Sequence, residues 1–138
     1  MKIVRNNCYG GFGLSPLAIK EYAKLKGFEV FAYRDKSGEF GTYLRLDTEE
    51  ELRGCFCIYY SKRDWGKECS ERNLNSAFFS ESNIERNDPC LVEVVEKLGE
   101  KANTSCSELI VVEIPDDVNW EITEYDGWES VEEKHRSW

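Results

Sequence analysis

The sequence predicts an α+β fold: two main helices on an antiparallel or mixed sheet, with an irregular insert at about residues 53–87. Three observations predict it. Ser15-Pro16 and Asp88-Pro89 each supply helix-start chemistry ahead of an apolar stripe. Several short runs rich in β-branched and aromatic residues are bounded by Gly, Pro, Asn and Asp, as strands are. Between the helices, residues 61–87 are polar and without clear periodicity, and a stretch that long is usually functional or pinned by something local.

The elements follow in order. Lys2–Asn6 alternates as an opening strand and runs into the glycine-rich turn Gly10-Gly11-Phe12-Gly13. Ser15 is an N-cap and Pro16 the first helical residue; Ala18, Ile19, Tyr22 and Leu25 form one stripe, and Gly27 closes the helix. Phe28–Tyr33 reads as a strand, Lys36-Ser37-Gly38 as a turn and Thr42–Leu46 as the hairpin partner. Thr48–Leu52 fits one helical turn, and Cys55–Tyr60 has strand composition. After the irregular stretch, Asp88 caps a helix whose buried stripe is Leu91, Val94, Val95 and Leu98. Leu109–Ile114 and Val118–Tyr125 read as strands about the turn Pro115-Asp116-Asp117, and Glu129–Arg136 as a short closing helix. The order is β-α-β-β-β-α-β-β, in a single domain spanning 1–138.

At 138 residues the chain can bury one core. Charged residues make up 33% and aromatics 13%, and the large area that each aromatic buries lets the chain fold without disulfide staples. No apolar run approaches the roughly 20 residues that cross a bilayer. The opening Met-Lys-Ile-Val-Arg-Asn-Asn-Cys lacks the apolar core of a signal peptide, so the expected location is cytoplasmic, with no membrane partner.

In such a compartment, clustered cysteines point to metal or redox chemistry before structural disulfides. Cys55 and Cys57 lie two apart, so on a strand both sulfurs share a face while Phe56 points away. Cys69 follows in the irregular stretch, and Cys90 stands at the second position of the second helix, where free N–H groups favour a thiolate. Cys55, Cys57, Cys69 and Cys90 are therefore the expected ligands of a closed structural zinc site, with zinc–sulfur distances of about 2.3 Å. Such a site would also order residues 61–87. Cys106 and His135 are rival ligands; separately buried thiols and a redox pair are the competing readings.

The net charge of −9 is uneven. Residues 1–47 carry 8 basic and 5 acidic groups, 48–88 carry 6 and 9, and 89–138 carry 4 and 13. The acidic last third repels phosphate backbones, which argues against direct nucleic-acid binding there. Keeping a small protein soluble is the simpler use of such charge; the charge also suits a basic protein surface, and the candidate contacts are Asp116, Asp117, Glu121, Glu124, Asp126 and Glu129. An exposed Trp in that region, from Trp120, Trp128 and Trp138, would be an anchor for a partner, although core or edge placement is their simpler role. The turn at 10–13 occupies the position where phosphates bind in βα units, but it lacks the Lys-Ser/Thr of a P-loop. A Cys8–His135 nucleophile pair oriented by Asp126 or Glu129 has no local support.

Two segments carry a resemblance. Cys8-Tyr9-Gly10-Gly11-Phe12-Gly13-Leu14-Ser15 with the following helix resembles the opening of a widespread family of small phage and prophage proteins. Arg86-Asn87-Asp88-Pro89, Val94-Val95-Glu96-Lys97-Leu98-Gly99, Val112-Glu113-Ile114-Pro115, Glu124-Tyr125-Asp126-Gly127 and Glu133-Lys134-His135-Arg136 are similar to its C-terminal half. The resemblance implies phage origin and a shared scaffold, from which residues 28–85 depart. A small acidic phage protein with a metal-stapled insert also looks like a zinc-binding anti-CRISPR protein, an inhibitor of Cas9. The expected function is thus non-enzymatic inhibition of a host defence nuclease, Cas9 first, with structural zinc. The alternative is sequestration of a signalling nucleotide by the turn at 10–13.

Overall fold

The computed structural model describes residues 1–55 and 57–134, so Phe56, His135, Trp138 and the end of the expected closing helix lie outside the described residues. The fold is α+β, and every strand pairing in it is antiparallel. The chain divides into two compact units, residues 1–22 with 81 onward, and residues 23–80. The first contains β1 (Lys2–Asn6), the start of α1 (Pro16–Lys26), α4 (Pro89–Leu98), β7 (Leu109–Glu113), β8 (Trp120–Tyr125) and β9 (Trp128–Glu133). The second contains the end of α1, β2 (Phe31–Asp35), β3 (Thr42–Leu46), α2 (Glu49–Gly54), β4 (Tyr59–Ser61), β5 (Glu68–Ser70), α3 (Glu71–Ser76) and β6 (Phe78–Phe79).

In the first unit β1 pairs with β7, Ile3 opposite Val112 and Arg5 opposite Ile110. Ile3 and Val4 point to opposite faces yet both are fully buried, because α4 and β9 each lie against this strand. The helix starts follow capping chemistry. The Ser15 hydroxyl accepts the Ala18 N–H at 3.1 Å and donates to the Lys101 carbonyl. The Asp88 carboxylate accepts the Cys90 N–H at 2.9 Å, with Pro89 at the first turn. The stripe of α4 buries Leu91, Val92, Val94 and Val95.

The second unit is one five-stranded sheet in the order β5-β3-β2-β4-β6. Its two faces are covered by different residues, as alternation requires. Tyr33, Tyr43, Cys69 and Leu74 pack on one face with Phe31, Tyr59 and Trp65 beside them. Ala32, Leu46 and Leu52 pack on the other with Cys55, Ile58 and Tyr60. The edge strands are only three and two residues long, which limits edge-to-edge pairing with other chains.

The structure departs from the sequence expectations at three places. The strand expected over Cys55–Tyr60 begins only at Tyr59, because α2 runs to Gly54 and Cys55 is its C-cap. Residues 61–80 are built from short elements tied down by polar groups. The buried Tyr33 hydroxyl accepts the Trp65 N–H and donates to the Gly66 carbonyl, both at 2.9 Å. Ser61 Oγ takes the Arg63 N–H and the Trp65 indole N–H, and Asp64 takes the Gly66 N–H and an Arg45 guanidinium N–H. The region expected to close as a helix from Glu129 is strand β9 instead. Asp126 and Gly127 have φ of 48° and 89°, the paired left-handed residues of a two-residue turn whose twist suits a hairpin.

Tyr33→Phe keeps the ring and strands the Trp65 N–H and Gly66 carbonyl. Urea denaturation of this variant should show a loss of about 1–3 kcal/mol; unchanged stability would mean that this hydroxyl does not hold the 61–70 segment.

Candidate functional site

The end of the acidic last third forms the β8–β9 hairpin, and a buried polar node fixes it to the rest of the first unit. Asn6 and Glu129 are 0% and 4% exposed, and neither is idle. The Glu129 carboxylate accepts two N–H groups of the Arg86 guanidinium, one at 2.8 Å, and the Asn6 backbone N–H at 2.8 Å. The Asn6 side chain donates to the Cys8 and Gly127 carbonyls and accepts the Glu108 N–H. Arg5 donates to the Glu129 carbonyl at 2.7 Å, and the Arg86 guanidinium stacks 3.5 Å above the Phe12 ring. Of the acids named as partner contacts, Glu129 is thus internal. It holds the hairpin and presents no charge outward.

The remaining named acids are on the surface. Asp116, Asp117, Glu121, Glu124 and Asp126 are exposed, as are Glu132 and Glu133, a pair that the sequence reads as solvated. Asp116 pairs with the N-terminal ammonium, which lowers its carboxyl below the usual range. Among the described residues no cation pairs with Glu121, Glu124, Asp126, Glu132 or Glu133. From Ala102 to Glu133 the chain contains ten acidic residues and no Lys or Arg. Tyr125 and Trp128 flank the turn on the hairpin tip, and the Trp128 ring meets Tyr9 at 5.2 Å. The signal for this arrangement was Asp126-Gly127 between alternating residues, a hairpin cue.

The glycine-rich turn is occupied by protein. A Cβ on Gly10 would sit 1.8 Å from the Cys106 carbonyl oxygen, and one on Gly127 would sit 2.4 Å from the Tyr9 carbonyl oxygen. Ser107 Oγ donates to the Gly13 carbonyl at 2.8 Å. The Leu14 N–H, which a phosphate would need, donates to Glu81 at 2.9 Å. Close backbone approach therefore accounts for Gly10, and a φ of 96° accounts for Gly11. Burial raises the Glu81 carboxyl above its ordinary value, against the opposing effects of the Leu14 N–H and Arg86.

The four cysteines expected to share a zinc ion are distributed. Cys55 packs with Ala32, Leu46 and Leu52 on one face of the five-stranded sheet, its thiol donating to the Cys57 carbonyl at 3.1 Å. Cys69 is buried on the opposite face, opposite Tyr43, and desolvation pushes its thiol up. Cys57 is exposed and hydrogen-bonds Tyr59, whose phenol is pushed up to about 12 chiefly by that bond. Cys90 belongs to the first unit, at the start of α4. A tetrahedral site needs its sulfurs within about 4 Å of one another, and a sheet separates Cys55 from Cys69. As they stand, these four thiols do not fit one zinc site. Among the described residues no three His, Cys, Asp or Glu side chains are grouped to hold a metal ion. Cys106 is exposed, and the Cys8 thiol donates to its carbonyl at 3.0 Å.

No family model, curated protein or solved structure matches this chain. No helix among the described residues is long and apolar enough to cross a membrane.

Two measurements check the packing of the turn. Gly10→Ala should cost about 3 kcal/mol or more, since backbone faces the new Cβ. Gly54→Ala, with open space and an ordinary φ, should be neutral or stabilising by under about 1 kcal/mol. Equal effects would mean that Gly10 is not packed as described. Glu81 supplies a pH test. A carboxyl raised by folding binds its proton more tightly in the folded state, so its penalty is full above the folded pKa. The penalty fades as pH falls toward the unfolded value of about 4.3. Glu81→Gln should therefore melt above the wild type at pH 7, with the difference shrinking toward about pH 4. A difference independent of pH would contradict the burial assigned to this group.

Proposed function

We propose that the protein acts by binding a basic surface of another protein, without catalysis, through the acidic β8–β9 hairpin. The observation that carries this reading is the run of ten acids without one base from Ala102 to Glu133, six of them on the hairpin, where all but Glu129 are exposed and have no cation partner among the described residues. Concentrated negative charge raises the encounter rate with a basic partner and repels nucleic acid. Proteins that handle nucleic acid present such basic surfaces. The phage resemblance of the Cys8–Ser15 and Arg86–Arg136 segments adds a setting in which a host defence nuclease is the target. An RNA-guided nuclease of the Cas9 type is the sharpest case, because its channels are lined with Lys and Arg for the RNA–DNA duplex. An acidic hairpin docked there would compete with the backbone phosphates or obstruct the movements that admit them. Nucleotide sequestration draws no support from the turn at 10–13, where Gly10 is packed against the Cys106 carbonyl and the Leu14 N–H that follows is held by Glu81. The binding reading needs no metal at the interface.

Guide-directed DNA cleavage by Cas9, measured with the purified protein in stoichiometric excess, should be inhibited. Inhibition should weaken as salt rises from about 0.05 M to 0.3 M, as screening of a charged interface requires. Unchanged cleavage at low salt removes Cas9 as the target.

A further inference from the structure

We infer that the outer face of the β8–β9 hairpin recognises an extended protein segment carrying two cationic residues four positions apart, of which the one at the hairpin tip is arginine. This rests on the reading that the protein binds a basic protein surface, and it specifies which face does so and in what spacing.

The register defines the face. Tyr125 lies opposite Trp128, Thr123 opposite Ser130, and Glu121 opposite Glu132. Residues two apart on a strand share a side, so these six residues form three rungs on one side of the hairpin. Glu129, which is buried against Asn6 and Arg86, belongs to the other side. The six therefore lie on the side turned away from the node.

Each rung has a distinct chemistry. The tip rung is aromatic: Tyr125 is 74% exposed and Trp128 37%, and Tyr9, 65% exposed, leans on Trp128 with the rings tilted by 48°. Three exposed rings at the tip of a small protein are costly to leave in water and are the usual anchors of an interface. The middle rung is neutral, the Thr123 and Ser130 hydroxyls being 2.7 Å apart, and Ser130 also reaches the Glu132 carboxylate at 3.4 Å. The inner rung places Glu121 and Glu132 directly opposite each other, a like-charge pair that destabilises a hairpin unless a cation sits between the two carboxylates.

The occupant follows from these rungs. A flat guanidinium stacks on aromatic faces and is weakly hydrated, whereas an ammonium is compact and holds its water. The first unit already uses that pairing once, with Arg86 on Phe12. Asp126, exposed in the turn beside the tip, supplies a carboxylate for the same cation. The inner rung accepts either Arg or Lys. Tip and inner rungs are four residues apart along each strand, about 13 Å. In an extended partner, residues i and i+4 span the same length and point to the same side.

The surface is also preformed. Gly127 is locked under the Tyr9 carbonyl, and its own carbonyl takes the Asn6 side-chain N–H, so the tip does not need ordering on binding.

The test uses the full chain, labelled with nitrogen-15, and three short unstructured Ser/Thr-based peptides. One carries Arg at i and i+4, one Lys at i and i+4, and one Arg at i and i+3. Amide shifts on titration should be confined to β8, β9 and the neighbourhood of Tyr9. The first peptide should bind several-fold tighter than either of the others. Tyr125→Ala should weaken it by about tenfold. Glu121→Gln and Glu132→Gln should weaken it several-fold while leaving the melting temperature unchanged or raising it, because the like-charge rung is relieved. A purely structural role for these glutamates predicts a lower melting temperature instead. Three results overturn the inference: no shifts at millimolar peptide, equal affinity for the three peptides, or shifts centred elsewhere, such as the acids Glu49–Glu51.

The two readings fail separately. Cleavage unaffected by the protein, with the peptide pattern intact, removes the nuclease and keeps the hairpin face. Cleavage inhibited equally by the wild type and Tyr125→Ala keeps the inhibitor and removes this face.

Discussion

The first unit turns on one carboxylate. Glu129 joins three separate parts of the chain: β9 on which it sits, β1 through the Asn6 N–H, and the segment before α4 through Arg86. A buried ion pair of this kind adds little over a well-packed apolar substitute, but removing one partner leaves a desolvated charge at a cost of about 3–5 kcal/mol. What it contributes is register. β9 cannot slip along β1 without taking the carboxylate away from both the guanidinium and the backbone N–H. A slip of one residue would also turn Glu129 outward and its exposed neighbours inward. The same node carries the loop at 8–13, because Asn6 holds the Cys8 and Gly127 carbonyls and Arg86 covers Phe12.

Negative charge thus has two separate uses on one hairpin. Glu129 is neutralised by Arg86 and holds position. Glu121, Glu124, Asp126, Glu132 and Glu133 have no such partner among the described residues and point their charge at solvent. Without the internal pair, an all-acidic hairpin would be a poor candidate to stay folded against the body of an acidic protein. With it, the self-repulsion of the outer carboxylates is tolerated. The stability deficit on that face is what a basic partner would relieve on binding.

Local chemistry was legible where it was self-contained. Ser15-Pro16 and Asp88-Pro89 start their helices as their side chains require, and Thr42–Leu46 is a strand over those same residues. The departures come from contacts distant in sequence. Nothing near residue 129 announces Arg86 or Asn6, so its apolar-polar pattern reads equally as helix or strand until Asp126-Gly127 is recognised as a hairpin turn. Cys55 and Cys57 read as a pair because their spacing suits a strand. Cys55 is instead the C-cap of α2, and Cys57, beyond the helix, is exposed. The segment at 61–80 looked unordered because its organiser, the Tyr33 hydroxyl, lies some thirty residues earlier.

The cysteines and the hairpin then separate as problems. In the sequence alone, the middle of the chain offers no source of order besides a metal staple. Tyr33, Ser61 and Asp64 supply that order with ordinary hydrogen bonds, and the thiols divide between two faces of a sheet. Cys69, the buried one, sits in a core as a small apolar side chain does. On the hairpin face Trp128 packs on Tyr9, itself exposed, and Glu121 and Glu132 stand opposite each other with no cation partner among the described residues. Exposed rings and opposed like charges are where a binding function is to be sought. By that criterion the weight moves from the second unit, with its cysteines, to the tip of β8 and β9.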